Sequence, residues 1–308
     1  MSKFIIRRAL GLIPTMLIII TVCFFLIRVA PGGPFSSEKK IPPQIMKNIE
    51  AKYHLDEPLV MQYGRYVVNV IRGDLGPSYK YKDYDVNYYI GEGLPKSLLL
   101  GTLSILLALI LGMAAGMFSA LRQNTWVDYT WMSFAVVGIS VPTFVLGPIL
   151  MFIFSINLKW LPVAGWLDEY GVAALVLPVV TLFYQYFATI ARLSRASFLE
   201  AIRSDYVRTA KAKGLKTSYI MMKHVLKGAS LPVVSYLGPA FSGIITGSIV
   251  VEQIFRVPGL GRHFVQSAFN RDYTMIMGTV IVYSLILVIM NFLVDVLYGY
   301  LDPRISYS

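Results

Sequence analysis

Residues 97–120 read SLLLGTLSILLALILGMAAGMFSA, a run with no charged side chain. About 20 predominantly apolar residues suffice for a helix to cross the ~30 Å hydrocarbon core of a bilayer. Within the run, Ala108, Gly112, Gly116 and Ala120 recur at every fourth position. On a helix they share one face, and small residues there let a second backbone approach closely. The stretch predicts a membrane-spanning helix with its own packing seam.

Comparable runs fall near residues 9–27, 131–156, 172–190, 231–251 and 275–298. The expectation is an all-α membrane protein with six transmembrane helices. Composition agrees. The 308 residues are 56% hydrophobic and 15% charged, against about 25% charged in soluble domains. The formal charge of +11 would suit nucleic acid only if gathered on a soluble face. Here the bases lie between apolar runs, so lipid is the expected partner and nucleic acid is not. Cys23 is the one cysteine and lies inside the first run, so no disulfide framework exists. Pro142, Pro148 and Pro178 predict kinks in the third and fourth spans, which neighbouring helices must accommodate.

The first run follows Lys3, Arg7 and Arg8, as in a signal peptide. Its apolar core exceeds the ~7–15 residues of such signals, so it reads as a retained helix with its N-terminus inside. Basic residues in short loops test that orientation. Lys3, Arg7, Arg8, Arg122, Arg304 and nine bases between Arg192 and Lys227 fall inside, against Asp128, Glu200, Asp205 and Asp302. The short outer loops are balanced: Lys159, Arg256, Arg262 and Arg271 face Asp168, Glu169, Glu252 and Asp272. Both termini are therefore expected in the cytosol.

The long stretch 31–96 falls outside and is nearly neutral, which predicts a folded external subdomain. Pro42-Pro43 opens a helix through His54. Asp56 is expected to cap a second helix with Pro58 at its start and Gly73 just past its end. Its apolar stripe is Leu59, Tyr63, Tyr66, Val67 and Val70. Residues 85–90 are expected to form a short interfacial helix before Pro95. Three domains follow: 1–30, the first transmembrane helix; 31–96, the external helical subdomain; and 97–308, the core with five further helices and a cytosolic loop at 191–230.

Asp295 is the one acid inside a span, close enough to the inner boundary to serve as an interfacial ion pair. Arg28 and Glu252 sit at outer helix ends, where they are expected to snorkel. Gly243 and Gly247 repeat the small-residue spacing in the fifth span, with packing and lipid-tolerant filler both open. There is no G-x-x-x-x-G-K-[ST], H-E-x-x-H or G-x-S-x-G sequence. Neither catalysis, a metal nor a cofactor is expected on this chain. His54 and His263 fall outside and His224 inside, so the three cannot share a site.

The cytosolic loop carries Asp205-Tyr-Val-Arg208-Thr209-Ala210-Lys-Ala-Lys213-Gly214. Helical character runs to Lys213, Gly214 is a natural C-cap, and a second helical stretch covers 217–227. Topology and anionic headgroups account for the bases but not for a helix–glycine–helix elbow. The arrangement resembles the coupling loop of ABC importer permeases, whose signature is E-A-A-x-x-x-G. Thr209-Ala210-x-x-x-Gly214 keeps the alanine and glycine, with Arg208 where the glutamate would stand. That departure is usual in the dipeptide/oligopeptide/nickel branch, where the segment looks like R-T-A-x-A-K-G. The likeness covers nearly the whole chain: RVAPGGP at 28–34, LDEPL at 55–59 with Gln62-Tyr63, GDLGPS at 73–78, VPGLG at 257–261, Arg271-Asp-Tyr273, and Asp295 through Asp302-Pro-Arg304. It is strongest to the B-type permease subunits of bacterial oligopeptide importers.

The resemblance implies a type I importer permease fold in the bacterial inner membrane. It implies as partners a second homologous permease, two cytosolic ATP-binding subunits and a periplasmic peptide-binding protein. Asp205, Arg208, Thr209, Ala210, Lys213 and Gly214 would form the ATPase coupling elbow, and 31–96 would help dock the binding protein. Peptide would be the substrate, with the path-lining residues unknown. A dipeptide or nickel permease is the nearer alternative. A secondary transporter or channel is the more distant one, and would usually show inverted repeats or charged, broken helices at the midplane.

Overall fold

A computed structural model of the chain describes residues 2–29, 33, 35, 43–81 and 84–301. Asp302 and Arg304 lie outside the described residues, as does most of the 28–34 motif. Among the described residues the chain is helical, with one isolated bridge between Pro77 and Asp85.

Helix α1 spans Ser2–Val29 and lies at the periphery, touching α3 and α14. The outer segment forms α2, Pro43–Lys52, and α3, Leu59–Ile71. Asp56 does not cap α3. Pro58 holds that position, and its carbonyl receives the amides of Met61 and Gln62. Gly73, at φ +80°, ends the helix, its amide bonding to the Val70 carbonyl. The expected stripe is shifted too: Leu59 is exposed and Gln62 is buried.

Helix α4 runs unbroken over Val86–Leu121, so the expected short helix at 85–90 is its first turns. At 1.5 Å per residue it is about 54 Å long, well beyond the hydrocarbon core. Pro95 withholds one amide from the ladder, yet packing overrides that loss. At Gly93 an added Cβ would stand 2.9 Å from the Leu260 amide nitrogen, so these outer turns are fixed against their neighbour.

The third expected span is not one kinked helix. Helix α5, Trp126–Ser140, and α6, Thr143–Leu150, meet at 109°. Val141 is extended, because a residue before proline is pushed out of the helical region. Pro148 then lacks an amide inside α6, and the chain widens into a π-helical turn over Met151–Asn157. The short α7, Leu167–Tyr170, leads to α8, Ala173–Ile202. That helix passes through Pro178 and continues well beyond residue 190 into the basic loop.

The loop holds α9 (Asp205–Ala212), α10 (Thr217–Ile220), a π-helical turn (Met221–Val225) and α11 (Leu226–Ala229). Then come α12, Leu231–Phe255, with Pro232 in its first turn, α13, Leu260–Asn270, and α14, Tyr273–Leu301. Four helices (α1, α4, α8 and α14) are long and apolar enough to cross a membrane, or five crossings if the bent pair counts as one. In α12, side chains 242 and 245–247 lie outside the described residues.

The main core gathers α4, α8, α12 and the outer helices around Leu100, Ile105, Leu182, Phe187, Ile244 and Leu260. A separate cluster sits under the loop: Ala120, Phe198, Val207, Ala210, Ile220, Met221, Val225 and Ala229.

Candidate functional site

Helix α9 ends in a two-bond cap. The Gly214 amide bonds to the Lys211 carbonyl at 2.9 Å and the Leu215 amide to Ala210 at 3.3 Å. This pairing requires a left-handed residue between them, which Gly214 supplies at φ +74°. The sequence-expected residues then divide. Asp205, Arg208, Thr209, Lys213 and Gly214 are exposed, whereas Ala210 is buried. Ala210 and Val207 form the underside of α9 and enter the second cluster with Phe198 of α8 and Ala120 of α4. The exposed side also carries Lys211 and Lys216. An open cavity of about 320 Å³ lies beside it, lined by Tyr206, Thr209, Ala210, Lys213, Leu215 and His224.

The base of this elbow is tied rigidly to the spans. Arg195 of α8 donates twice to the buried Asp128 of α5, at 2.6 Å each, and the Asn124 amide adds a third bond at 2.9 Å. Forked arginine–carboxylate pairs are geometrically specific. Nearby, α4 and α8 approach within backbone contact. A Cβ on Gly116 would stand 2.7 Å from both the Ala191 carbonyl and the Arg195 amide, and one on Gly112 would meet Ile190 at 2.9 Å. Ala108 and Ala120 on the same face are buried. At Gly243 of α12, an added Cβ would instead meet the Tyr186 hydroxyl at 3.0 Å.

At the other end of the bundle the structure corrects the snorkelling expectation. Glu252 of α12 is wholly buried. Its carboxylate accepts from Ser97 of α4 at 2.7 Å, Ser248 at 2.8 Å and the Gly261 amide at 2.9 Å. A Cβ at Gly259 would stand 2.5 Å from the Glu252 carboxylate carbon, so the VPGLG loop folds directly over this acid. With hydrogen-bond donors so close, burial is satisfied and extension toward water gains nothing. Arg28 likewise folds back over the Phe24 ring at 3.4 Å and donates to Gln62. Asp272 caps α14, accepting from Ser78, Thr274 and the amides of Tyr79 and Met275. Asp295 pairs with Arg8 at 2.6 Å, clipping the last helix to the first.

Asp128–Arg195 and the Glu252 clasp were not singled out by sequence reasoning. For Glu252 a signal existed: two glycines at fixed spacing just after an acid mark a backbone that must pass close to something. For Arg195 and Asp128, 67 positions apart, no local signal exists. Among the described residues no three histidine, cysteine or acidic side chains come together as a metal site would require.

Solved structures share the long helical scaffold. The MetNI methionine ABC transporter in an inward-facing form superposes with a TM-score of 0.58, covering 70% of this chain and 97% of that one at 18% identity. An amino acid ABC transporter crystallised with histidines gives 0.51 over 70% and 94%, at 17% identity. The fold is therefore that of ABC importer permeases. The sequence profile of the "Binding-protein-dependent transport system inner membrane component" family matches residues 84–307, and its N-terminal companion matches 1–81. The chain belongs to this family of inner membrane transport components. It is 48% identical to the oligopeptide transport system permease protein OppB of Salmonella typhimurium over the whole of both chains. It is 46% identical to the dipeptide transport system permease protein DppB of Bacillus subtilis, over 99% of this chain and 98% of that one. Glutathione transport system permease protein GsiC of Pectobacterium atrosepticum is 39% identical over both full lengths.

Proposed function

We propose that this chain is the permease subunit of an ATP-driven importer that carries oligopeptides inward across the bacterial inner membrane, with ATP hydrolysis on separate cytosolic subunits. The observation that carries this reading is the build of α9. Its apolar side is locked to the inner ends of α4 and α8, while Asp205, Arg208, Thr209 and Lys213 are exposed on its other side. A surface of that kind passes motion between an external body and the spans. Its partners are two ATP-binding subunits at the elbow, a second permease beside the bundle and a peptide-binding protein at the outer segment. Six crossings with both termini in the cytosol are part of the proposal, α5–α6 and α12 supplying the third and fifth. So is the division into a first helix, an outer subdomain at 31–96 and a core at 97–308.

The test sits at Gly214. A Cβ there would meet nothing within 4 Å of the chain, so beyond its backbone strain a larger side chain has room to extend toward a docked partner. The φ of +74° costs an L residue about 1–2 kcal/mol, and Asn tolerates it better than most. In vesicles holding the complete importer, Gly214→Asn keeps labelled-peptide uptake near normal and Gly214→Trp lowers it at least tenfold with the subunits still assembled. Normal uptake by Gly214→Trp sinks the coupling assignment. A dipeptide importer is the second reading, favoured by the 46% identity to the Bacillus subtilis dipeptide permease. Competition by unlabelled peptides of graded length separates the two.

A further inference from the structure

The outer end of α1 carries a site that import does not explain. Helix α3 packs its Gln62, Tyr63 and Tyr66 side against α1, with the Tyr63 hydroxyl 2.7 Å from Thr21 and its ring 5.4 Å from Phe24. Thr21 lies inside the apolar segment Ile5–Val29, about 12 Å below its outer end at 1.5 Å per residue. The opposite side of α3 carries Val60, Met61, Gly64, Val68 and Ile71, all exposed, with Val60 at 76% and Ile71 at 80%. At 100° per residue these five occupy a stripe about 100° wide. An apolar stripe on a helix held at that depth lies in the outer interface of the bilayer.

Behind α3, at the same level, is a cavity of about 150 Å³ whose lining includes Arg28, Lys52, Tyr53, Arg65, Tyr66 and Tyr79. Arg65 is already paired with Glu57 at 2.6 Å. Arg28 is half-buried and has only neutral acceptors among the described residues: Gln62, the Phe24 carbonyl and the Met277 sulfur. The Tyr66 hydroxyl is buried with no hydrogen-bond partner among the described residues. Burying a cation without a counter-charge, or a hydroxyl without a partner, costs free energy, and one small oxyanion relieves both. The volume excludes a peptide, because pockets for drug-sized ligands run to about 300–1,000 Å³. A headgroup-sized anion fits.

We propose that this cavity binds the phosphate of an outer-leaflet phospholipid, held by Arg28 and Tyr66. The lipid fastens the outer subdomain to α1. The site rests on α1 crossing the membrane, but not on peptide being the cargo, and peptide uptake measured in parallel keeps the two separable.

The complete importer, purified in mild detergent and delipidated, is titrated with short-chain phosphatidylglycerol, inorganic phosphate or short-chain diacylglycerol while thermal unfolding and native mass are followed. Phosphatidylglycerol alone raises the Tm of the wild type and stays bound. Arg28→Gln weakens that binding at least tenfold. Tyr66→Phe weakens it several-fold yet leaves the lipid-free Tm equal or higher, because it removes an unpartnered hydroxyl; that sign keeps the test valid if Arg28→Gln folds poorly. An equal response to inorganic phosphate overturns the lipid source, and one to diacylglycerol overturns the phosphate contact. Unchanged lipid retention in both variants overturns the site. A nitroxide at Ile71→Cys, in a Cys23→Ser background, is accessible to oxygen rather than to aqueous nickel in bilayers. The reverse removes α3 from the membrane interface.

Discussion

Glu252 joins three pieces of chain through one side chain: Ser97 of α4, Ser248 of its own helix and the first turn of α13. Removing it leaves buried donors facing nothing, and each such donor costs about 1–3 kcal/mol. The hydroxyls of Ser97 and Ser248 can turn to other acceptors, but the Gly261 amide is fixed by its backbone. Glu252→Ala therefore costs at least one full donor, seen as a lowered Tm of the detergent-solubilised complex. Glu252→Gln loses less, since one carbonyl oxygen remains as acceptor. Asp295 differs because its pair with Arg8 is not enclosed by protein, the two side chains being 31% and 55% exposed near the ends of their helices. Such pairs contribute about 0–1 kcal/mol. Asp295→Asn is expected to lower stability by less than about 1 kcal/mol and to leave peptide uptake within twofold. A proton-relay residue would instead abolish uptake when neutralised.

The α4–α8 seam is closest at Gly116, where the obstacles to a side chain are the Ser194 Cβ and the backbone of Ala191 and Arg195, which shift only with the whole helix. Overpacking of this kind costs about 1–3 kcal/mol. Gly116→Leu lowers the Tm by the corresponding amount and, if it parts the helices, uncouples ATP hydrolysis from uptake. Gly11→Leu is the matched control: a Cβ at Gly11 meets nothing within 4 Å, so its Tm stays unchanged. The i, i+4 pattern of the small residues was legible in sequence because a helix turns it into a stripe. Gly214 was legible for a similar reason, as the residue that a helix end needs. Asp56 misled because capping preference is local, whereas the end of α3 was decided by Pro58 and by Gln62 turning toward the Leu55 and Glu57 carbonyls. Pro95 misled in the other direction: the missing amide is a local cost, and packing of Gly93 on α13 outweighs it.

Across the whole molecule, charge and hydropathy periods placed the long helices, since lipid imposes a length and a composition on each. They could not reveal which residues meet across long separations. Arg8 and Asp295 are 287 positions apart, and Ser97 and Glu252 155, so neither pairing has a local signature. The result is a scaffold closed at two levels. The Glu252 clasp binds α4, α12 and α13 at one end of the bundle, and Asp128–Arg195 binds α5 to α8 at the other. The elbow is attached to the second level, at the foot of α4, whose ~54 Å rod reaches the first directly.

The break at Val141–Pro142 also bears on how the protein is made. Helix α5 has 15 residues, about 22 Å of rise, too short to cross the ~30 Å core alone. Its exposed turn at the 109° corner carries backbone groups that lipid cannot satisfy. The contacts that anchor α5 come from α8, whose Tyr184 hydroxyl bonds to the Phe134 carbonyl and whose Arg195 pairs with Asp128. A nascent chain that leaves the ribosome one segment at a time thus cannot release this piece into the bilayer on its own. Insertion of residues 126–157 together with α8 is the expected outcome, which a truncation series ending before and after α8, scored for membrane integration, checks.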